Sequence, residues 1–296
     1  MAPEEDRSDP RHRARKHPRA RADWTRSGAR GGRGSRRRRR VPVLVYHHVY
    51  HDDAPELQQS ARESGAGVLA ESQFLRQMQY VADAGWQVVS TTQMVEWLTA
   101  DAALPDRALV LHFDNGWLDT LTVTLPILHR LGMVATCFPI TDGVEAASQG
   151  EAATVRTLTE GVVENPFMTW DQVGRLYDSG WEIGAHTATH CKLVDRHAAS
   201  GDEGVLWEVQ ASNARFQERL GFLPDHFAYP SGSRNERTDA LLAKYYRSLR
   251  LWHFEWPIQW TFTDGNTSPL AIDCQNIDLR VPFAAFQSVL REALAT

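Results

Sequence analysis

A chain of 296 residues is long enough for one large domain or two small ones, and 42% hydrophobic with 23% charged residues is a globular composition, not a disordered or fibrous one. The net charge of -5 hides an asymmetry: residues 1–40 hold 14 Arg and one Lys against five acids, and the remainder holds 17 bases against 32 acids. The acidic body argues against a nucleic-acid-binding fold, which needs clustered positive charge, and no apolar run approaches the ~18 residues of a membrane span.

Residues 1–40 are rich in Arg, Gly, Ser and Pro and nearly empty of aliphatic side chains, so they are expected to form a disordered tail, with a catalytic domain over 41–296. Non-specific contact of the Arg run 36–40 with nucleic acid or anionic lipid competes with the plainer reading of a solvated tail or an over-extended translation start. The apolar stretch 41–46 is too short for a signal-peptide core, which predicts a cytoplasmic protein, with a cell-associated or secreted one following only from a different start. Three scattered cysteines, Cys137, Cys191 and Cys274, fit a reducing compartment.

From residue 41 the chain alternates short apolar runs with amphipathic ones. Strands are predicted at 41–46, 87–90, 108–113, 134–138, 182–185, 226–229 and 248–251, and helices at 71–84, 92–99, 118–131, 171–179, 204–220, 237–246 and 283–295. Thr169 is placed to cap the helix that follows it, and Gly85, Gly132, Gly180 and Gly221 each stand just past a helical stretch. The stretch 143–164 reads as an insertion loop and 252–267 as an aromatic-rich excursion. Seven strand-helix alternations imply a parallel sheet, open or closed into a barrel, with chemistry at the C-terminal ends of the strands.

Four strand ends carry reactive groups. The first ends in Tyr46-His47-His48. The strand 108–113 runs into Asp114-Asn115-Gly116, where an acid and an amide either project into an active-site mouth or form an Asx-turn entering a helix. The strand 182–185 ends in His186-Thr187-Ala188-Thr189-His190, and on a helical turn two imidazoles four residues apart share a face and can bind one metal ion. The fourth end offers Tyr229 and Pro230 in a rigid turn whose backbone N–H groups could face the same mouth. One pocket could then collect a metal, a base, an acid and an oxyanion donor.

These motifs, in this order, resemble the polysaccharide deacetylases of the NodB-homology type, carbohydrate esterase family 4, over essentially the whole of 41–295. Phe113-Asp114-Asn115-Gly116 stands where that family has F-D-D-G, His186-Thr187-Ala188-Thr189-His190 matches its H-T/S-x-x-H, and Leu193 matches an apolar residue that follows. The opening Pro42-Val43-Leu44-Val45-Tyr46-His47-His48-Val49 is similar to that of the poly-N-acetylglucosamine deacetylases. There is no His after His253 and no Arg before Tyr229-Pro230, which also fits that subgroup. The resemblance implies a distorted (β/α)7 barrel and metal-dependent hydrolysis of the N-acetyl group of an amino sugar. It makes Asp114 the base and His47 the acid; His48 is read as a packing or orienting neighbour, with an exchange of roles between the two histidines left open. It gives His186, His190 and Asn115 as ligands of a divalent ion, zinc first, and a backbone N–H near Tyr229 as oxyanion donor.

One position departs from the pattern. The family's metal-binding Asp is Asn115 here, a neutral and weaker ligand, so the metal is expected to be held less tightly. That departure keeps two other readings open, a hydrolase of a non-sugar amide or ester and a carbohydrate-binding protein with a degenerate site. Trp252, Phe254, Trp256 and Trp260 either stack on a sugar or fill core, and Cys191 is read as packing.

Overall fold

The computed structural model describes residues 39–62, 67–100, 102–158, 161–252 and 258–295; the expected tail up to residue 38, and Phe254 and Trp256, lie outside them. Strands β1 (Val43–Tyr46), β2 (Ala108–Asn115), β3 (Thr136–Pro139) and β4 (Glu182–Ile183) form consecutive parallel neighbours, and β7 (Gln275–Asn276) pairs in parallel with the outer side of β1. Between β4 and β7 stand β5 (His226–Ala228) and β6 (Ser248–Arg250), parallel to each other. Single parallel bridges link Ala185 to Phe227 and Arg250 to Ile272. The parallel pairings thus run through seven segments and return to β1, the arrangement of a (β/α)7 barrel whose ladder is thin on either side of the β5–β6 pair.

Strand alternation decides what faces the barrel axis. On β2, Leu109, Leu111 and Phe113 join the large cluster shared with the surrounding helices, where Phe113 stacks on Tyr46 at 5.4 Å. Ala108 and Val110 belong to a second cluster with Val43 and Val45, which the helix Thr91–Ala100 plugs from below with Met94, Val95 and Trp97. Each fully buried Val, Leu, Met or Phe among them is worth about 1.5–3 kcal/mol. Carried two residues at a time along the strands, the inward parity of Val43 and Val45 reaches His47, and that of Val110 reaches His112 and Asp114.

The structure corrects several sequence expectations. The run 87–90 is only a two-residue strand, Gln87–Val88, paired to the foot of β2, and the seventh barrel position is filled by 272–276. That segment was illegible because Gln275 and Asn276 are polar yet buried. The expected loop at 143–164 is a helix, Thr141–Ser148, followed by a hairpin of Val155–Thr157 against Gly161–Val163. The helix expected from 204 starts at Leu193 and is broken at Gly201, whose φ of 61° and ψ of -159° interrupt it. The helix expected over 118–131 opens with a π turn, Thr120–Thr124, before Leu125–Arg130. Thr169 does cap its helix, in a reciprocal box with Gln172, and Gly221 ends its own with φ 79°. Arg40, assigned to the tail, begins a short antiparallel strand, Arg40–Val41, against Thr263–Asp264. No helix among the described residues is long and apolar enough to cross a membrane.

Candidate active site

The C-terminal end of β2 supplies the first two groups. After Asp114 the backbone turns sharply through two left-handed residues, Asn115 with φ 73° and Gly116 with φ 83°. Asn tolerates this region better than most side chains, and at 116 a Cβ would stand 2.7 Å from Pro139 Cβ, which only glycine avoids. The turn is locked by Ile140 N–H donating to the Asn115 carbonyl (3.0 Å) and Met168 N–H to that of Gly116 (2.9 Å).

Asp114 is not free in the site. Arg250, at the end of β6, donates from Nη2 to both carboxylate oxygens at 2.6 Å, and the two side chains are 1% and 2% exposed. Burial pushes the Asp114 carboxyl up, but the Arg250 guanidinium and the nearby His186 and His47 rings outweigh it and hold the group at about 2. Asp114 is therefore ionised throughout the neutral range. Arg250 was missed in the sequence because it lies 136 residues from Asp114 and in no motif; its one signal was a charged residue within the strand predicted at 248–251.

His47 Nε2 lies 3.8 Å from Asp114 Oδ2, and its Nδ1 is buried with no hydrogen-bond partner among the described residues. Burial lowers its pKa to about 4, so the ring is uncharged at neutral pH.

The two paired histidines occupy a loop, not a helical turn. Thr187 and His190 have φ of 66° and 62°, which a helix cannot accommodate, and Thr187 Oγ1 accepts the His190 N–H at 2.9 Å. Their rings still converge, with centroids 4.9 Å apart. His186 Nδ1 donates to the Ala228 carbonyl and His190 Nδ1 to the Arg156 carbonyl, both at 2.8 Å. A carbonyl only accepts, so each Nδ1 carries the proton and each Nε2 keeps its lone pair. Burial lowers the His186 pKa to about 3 and depresses that of His190, keeping both rings neutral and able to coordinate. Buried Glu208 anchors the loop, accepting from Thr189 N–H (3.1 Å), Thr189 Oγ1 (2.8 Å) and Arg196 (2.7 Å).

Asn115 supports the same reading. Its Oδ1 and Nδ2 are both buried with no protein partner among the described residues, an arrangement that costs free energy unless something else satisfies the amide. An ion between His186 Nε2, His190 Nε2 and Asn115 Oδ1 would satisfy the oxygen, so the residues fit such a group. Among the described residues no set of three His, Cys, Asp or Glu side chains is arranged to hold a metal, because the third donor here is an amide.

His47, Asp114, Asn115, His186 and His190 line one cleft, partly open to solvent, with Thr157, Leu158, Ser231 and Trp252 on its walls. Of the seven residues singled out in the sequence, five therefore meet in the cleft. Tyr229 does not act as expected: its N–H is taken by the Arg250 carbonyl (3.1 Å) and its hydroxyl donates to Asp239 (2.7 Å). Pro230 has no N–H and opens a short 3-10 turn, Pro230–Gly232, which leaves Ser231, with φ 53°, as the turn's residue in the cleft wall. Trp252 faces the cleft, whereas Trp260 packs against the core and donates to Ser288. Cys191 packs against the core as expected.

A sequence profile of the polysaccharide deacetylase family matches residues 101–247, the segment that contains Asp114, Asn115, His186 and His190. The chain belongs to this family. As in that family's name, the likeness extends to a poly-beta-1,6-N-acetyl-D-glucosamine N-deacetylase of Escherichia coli K12, 28% identical over 181 residues. That alignment covers 61% of this chain but 25% of the relative, and one with YxkH of Bacillus subtilis, 22% identical, covers 67% and 59%. The chain thus spans less than two thirds of the length of YxkH and a quarter of that of the Escherichia coli relative. Among solved structures, the Streptococcus pyogenes deacetylase PplD superposes with a TM-score of 0.68 at 21% identity, over 85% of this chain and 98% of that one. IcaB of Ammonifex degensii gives 0.65 at 19%, over 86% and 97%. These two likenesses show the fold of a polysaccharide deacetylase over the body of the chain.

Proposed function

We propose that this polysaccharide deacetylase hydrolyses the N-acetyl group of an N-acetylated amino sugar, with a divalent ion held by His186, His190 and Asn115. The observation that carries the reading is the convergence of two unprotonated imidazole nitrogens, an orphaned amide and an ionised carboxylate on one cleft. What a bound ion supplies there is Lewis acidity, which polarises the acetyl carbonyl and acidifies water.

The protein's own groups have distinct tasks. Arg250 keeps Asp114 anionic and aimed, so an acceptor for the water proton exists at every neutral pH. His47 is uncharged at rest, so as general acid it must gain its proton during turnover, and Asp114 Oδ2, 3.8 Å away, is the nearby carboxylate to supply it through one water or once the pair closes to hydrogen-bond distance. The leaving amine then takes that proton from His47. The N–H of Ser231 replaces that of Tyr229 as the main-chain donor offered to the developing oxyanion. The cleft is partly open to solvent, so the acetamido group enters it while the rest of the substrate lies outside. An intact base, its buried arginine and an acid within reach favour an enzyme over a binding protein.

The test is the metal content of the purified protein, with acetate release from a chitooligosaccharide and from a small N-acetylglucosaminide, with and without added zinc. Zinc-dependent acetate release is expected. Bound metal without acetate from either substrate would refute the sugar N-deacetylase reading and favour another amide or ester.

A further inference from the structure

We propose that His48 is a positioning residue that fixes the acid, His47, relative to the turn carrying Asp114 and Asn115; the inference rests on the catalytic roles assigned above. The problem it answers is what holds His47. That ring makes no hydrogen bond of its own through Nδ1, and its Nε2 stands 3.8 Å from Asp114, beyond hydrogen-bond reach. Its placement must come from the backbone on either side.

On the N-terminal side, β1 is laddered to β2, with Tyr46 opposite Phe113. On the C-terminal side the anchor is His48. Consecutive residues of an extended chain point to opposite faces, so with His47 in the cleft His48 points away from it. Its ring lies between Tyr50 and Trp117, nearly parallel to both at centroid distances of 4.8 and 4.7 Å. Nδ1 meets Asp119 Oδ2 at 2.7 Å, and the Asn165 amide donates to Nε2 at 3.1 Å. With Nε2 accepting, Nδ1 carries the proton and donates to Asp119, which fixes one tautomer. The other oxygen of the same carboxylate accepts Val49 N–H at 3.0 Å, and His48 N–H donates to the Gly67 carbonyl at 2.9 Å.

The partners explain why this matters for chemistry. Asp119 stands five residues after Asp114, on the stretch that also carries Asn115 and Trp117. Asn165 belongs to the segment whose Phe167 packs on Trp117 at 4.3 Å and whose Pro166 carbonyl accepts Leu118 N–H at 2.8 Å. One imidazole therefore clamps three segments: the acid's strand, the turn bearing the base and the amide, and the chain beyond the hairpin. A displacement of about 1 Å in a reacting group can cost on the order of 100-fold in rate, so such a clamp acts on turnover more than on binding.

The experiment compares His48→Phe, which keeps a ring between Tyr50 and Trp117 but no hydrogen bond, with Asp119→Ala and Asp119→Asn. Acetate release is measured in the zinc-supplemented full-length protein, and the His47 ring signal is followed by NMR with nitrogen-15-labelled histidine. His48→Phe and Asp119→Ala are expected to lower kcat by about 10–100-fold with KM within about twofold, and to broaden or split the His47 signal. Asp119→Asn, whose one oxygen can accept from His48 while its NH2 group then faces the Val49 N–H, is expected to restore part of kcat and a single signal. A His47 signal that stays single and sharp in both His48→Phe and Asp119→Ala overturns the proposal, as does a loss of kcat that Asp119→Asn does not rescue. If the wild type releases no acetate, the functional reading fails, and the ring signal still decides whether His48 holds His47 in place.

Discussion

Arg250→Met is the perturbation that most directly probes how the base is held. It keeps much of the aliphatic stem but strips both 2.6 Å contacts from a carboxylate that is 2% exposed. Breaking a buried pair by removing one partner costs about 3–5 kcal/mol, because the remaining charge is stranded. For a domain of this size that is a fall of about 6–20 °C in Tm. In the wild type the Asp114 carboxyl sits below its ordinary 3.8, at about 2, so its stabilisation is present above pH ~4 and is lost as pH falls toward 2. In the variant, burial is no longer opposed by the guanidinium and the carboxyl moves up. The stability deficit should then be largest at pH 7 and shrink as pH falls and Asp114 protonates, while the acid limb of the activity profile shifts to higher pH. Thermal melts of both proteins from pH 4 to 8 measure the first effect and initial rates the second. Adding Asp114→Leu should recover most of the lost stability, since exchanging a whole buried pair for apolar groups is close to neutral or favourable. A deficit under about 1 kcal/mol, or a double variant no more stable than Arg250→Met, would refute the account of this pair.

The other expectations concern the ligands and the resting charge. Asp114→Asn, which keeps an oxygen for Arg250, should abolish acetate release with zinc still bound, whereas His186→Ala should lose both; metal analysis alongside the activity assay separates the cases. Asn115→Asp should tighten zinc binding by at least about tenfold, or about 1.4 kcal/mol, in a chelator competition titration. His47 and His186 are held uncharged at about 4 and about 3, and burial lowers His190 in the same direction. Each binds its proton more readily unfolded, so the metal-free protein should lose about 1.4 kcal/mol per pH unit for each such ring as pH falls from 6.5 toward the folded value; denaturant titrations at pH 7, 6 and 5 would show a flat stability if the rings were charged in the fold.

Much of this site was readable in the sequence because its groups sit at strand ends, where short apolar runs make the boundary visible. Asp114, Asn115, His186 and His190 were found in that way, and His47 by the same logic at the first strand. What the sequence hid was long-range pairing. Arg250 completes the base from a strand that no motif marks, and Tyr229 loses its role because its N–H is spent on the Arg250 carbonyl in the β5–β6 pair. The His186 to His190 spacing pointed to a shared ion-facing side for the wrong reason, since left-handed Thr187 and His190 bring the rings together without a helix. The seventh strand escaped notice because burial, not hydropathy, identifies 272–276 as barrel wall.

Both imidazoles that converge on the cleft are steered by main-chain oxygens, of Ala228 and of Arg156. A carbonyl is the same whatever side chain its residue bears. The support of the ligands is therefore silent in a comparison of sequences, and an alanine substitution at Arg156 would leave it untouched. It is sensitive instead to register: a one-residue deletion in the hairpin of Val155–Thr157 and Gly161–Val163 would withdraw the acceptor from His190 while keeping every candidate ligand in the chain. That hairpin can thus vary in its outward side chains, and with them in what the rim of the cleft touches, so long as its length near Arg156 is preserved.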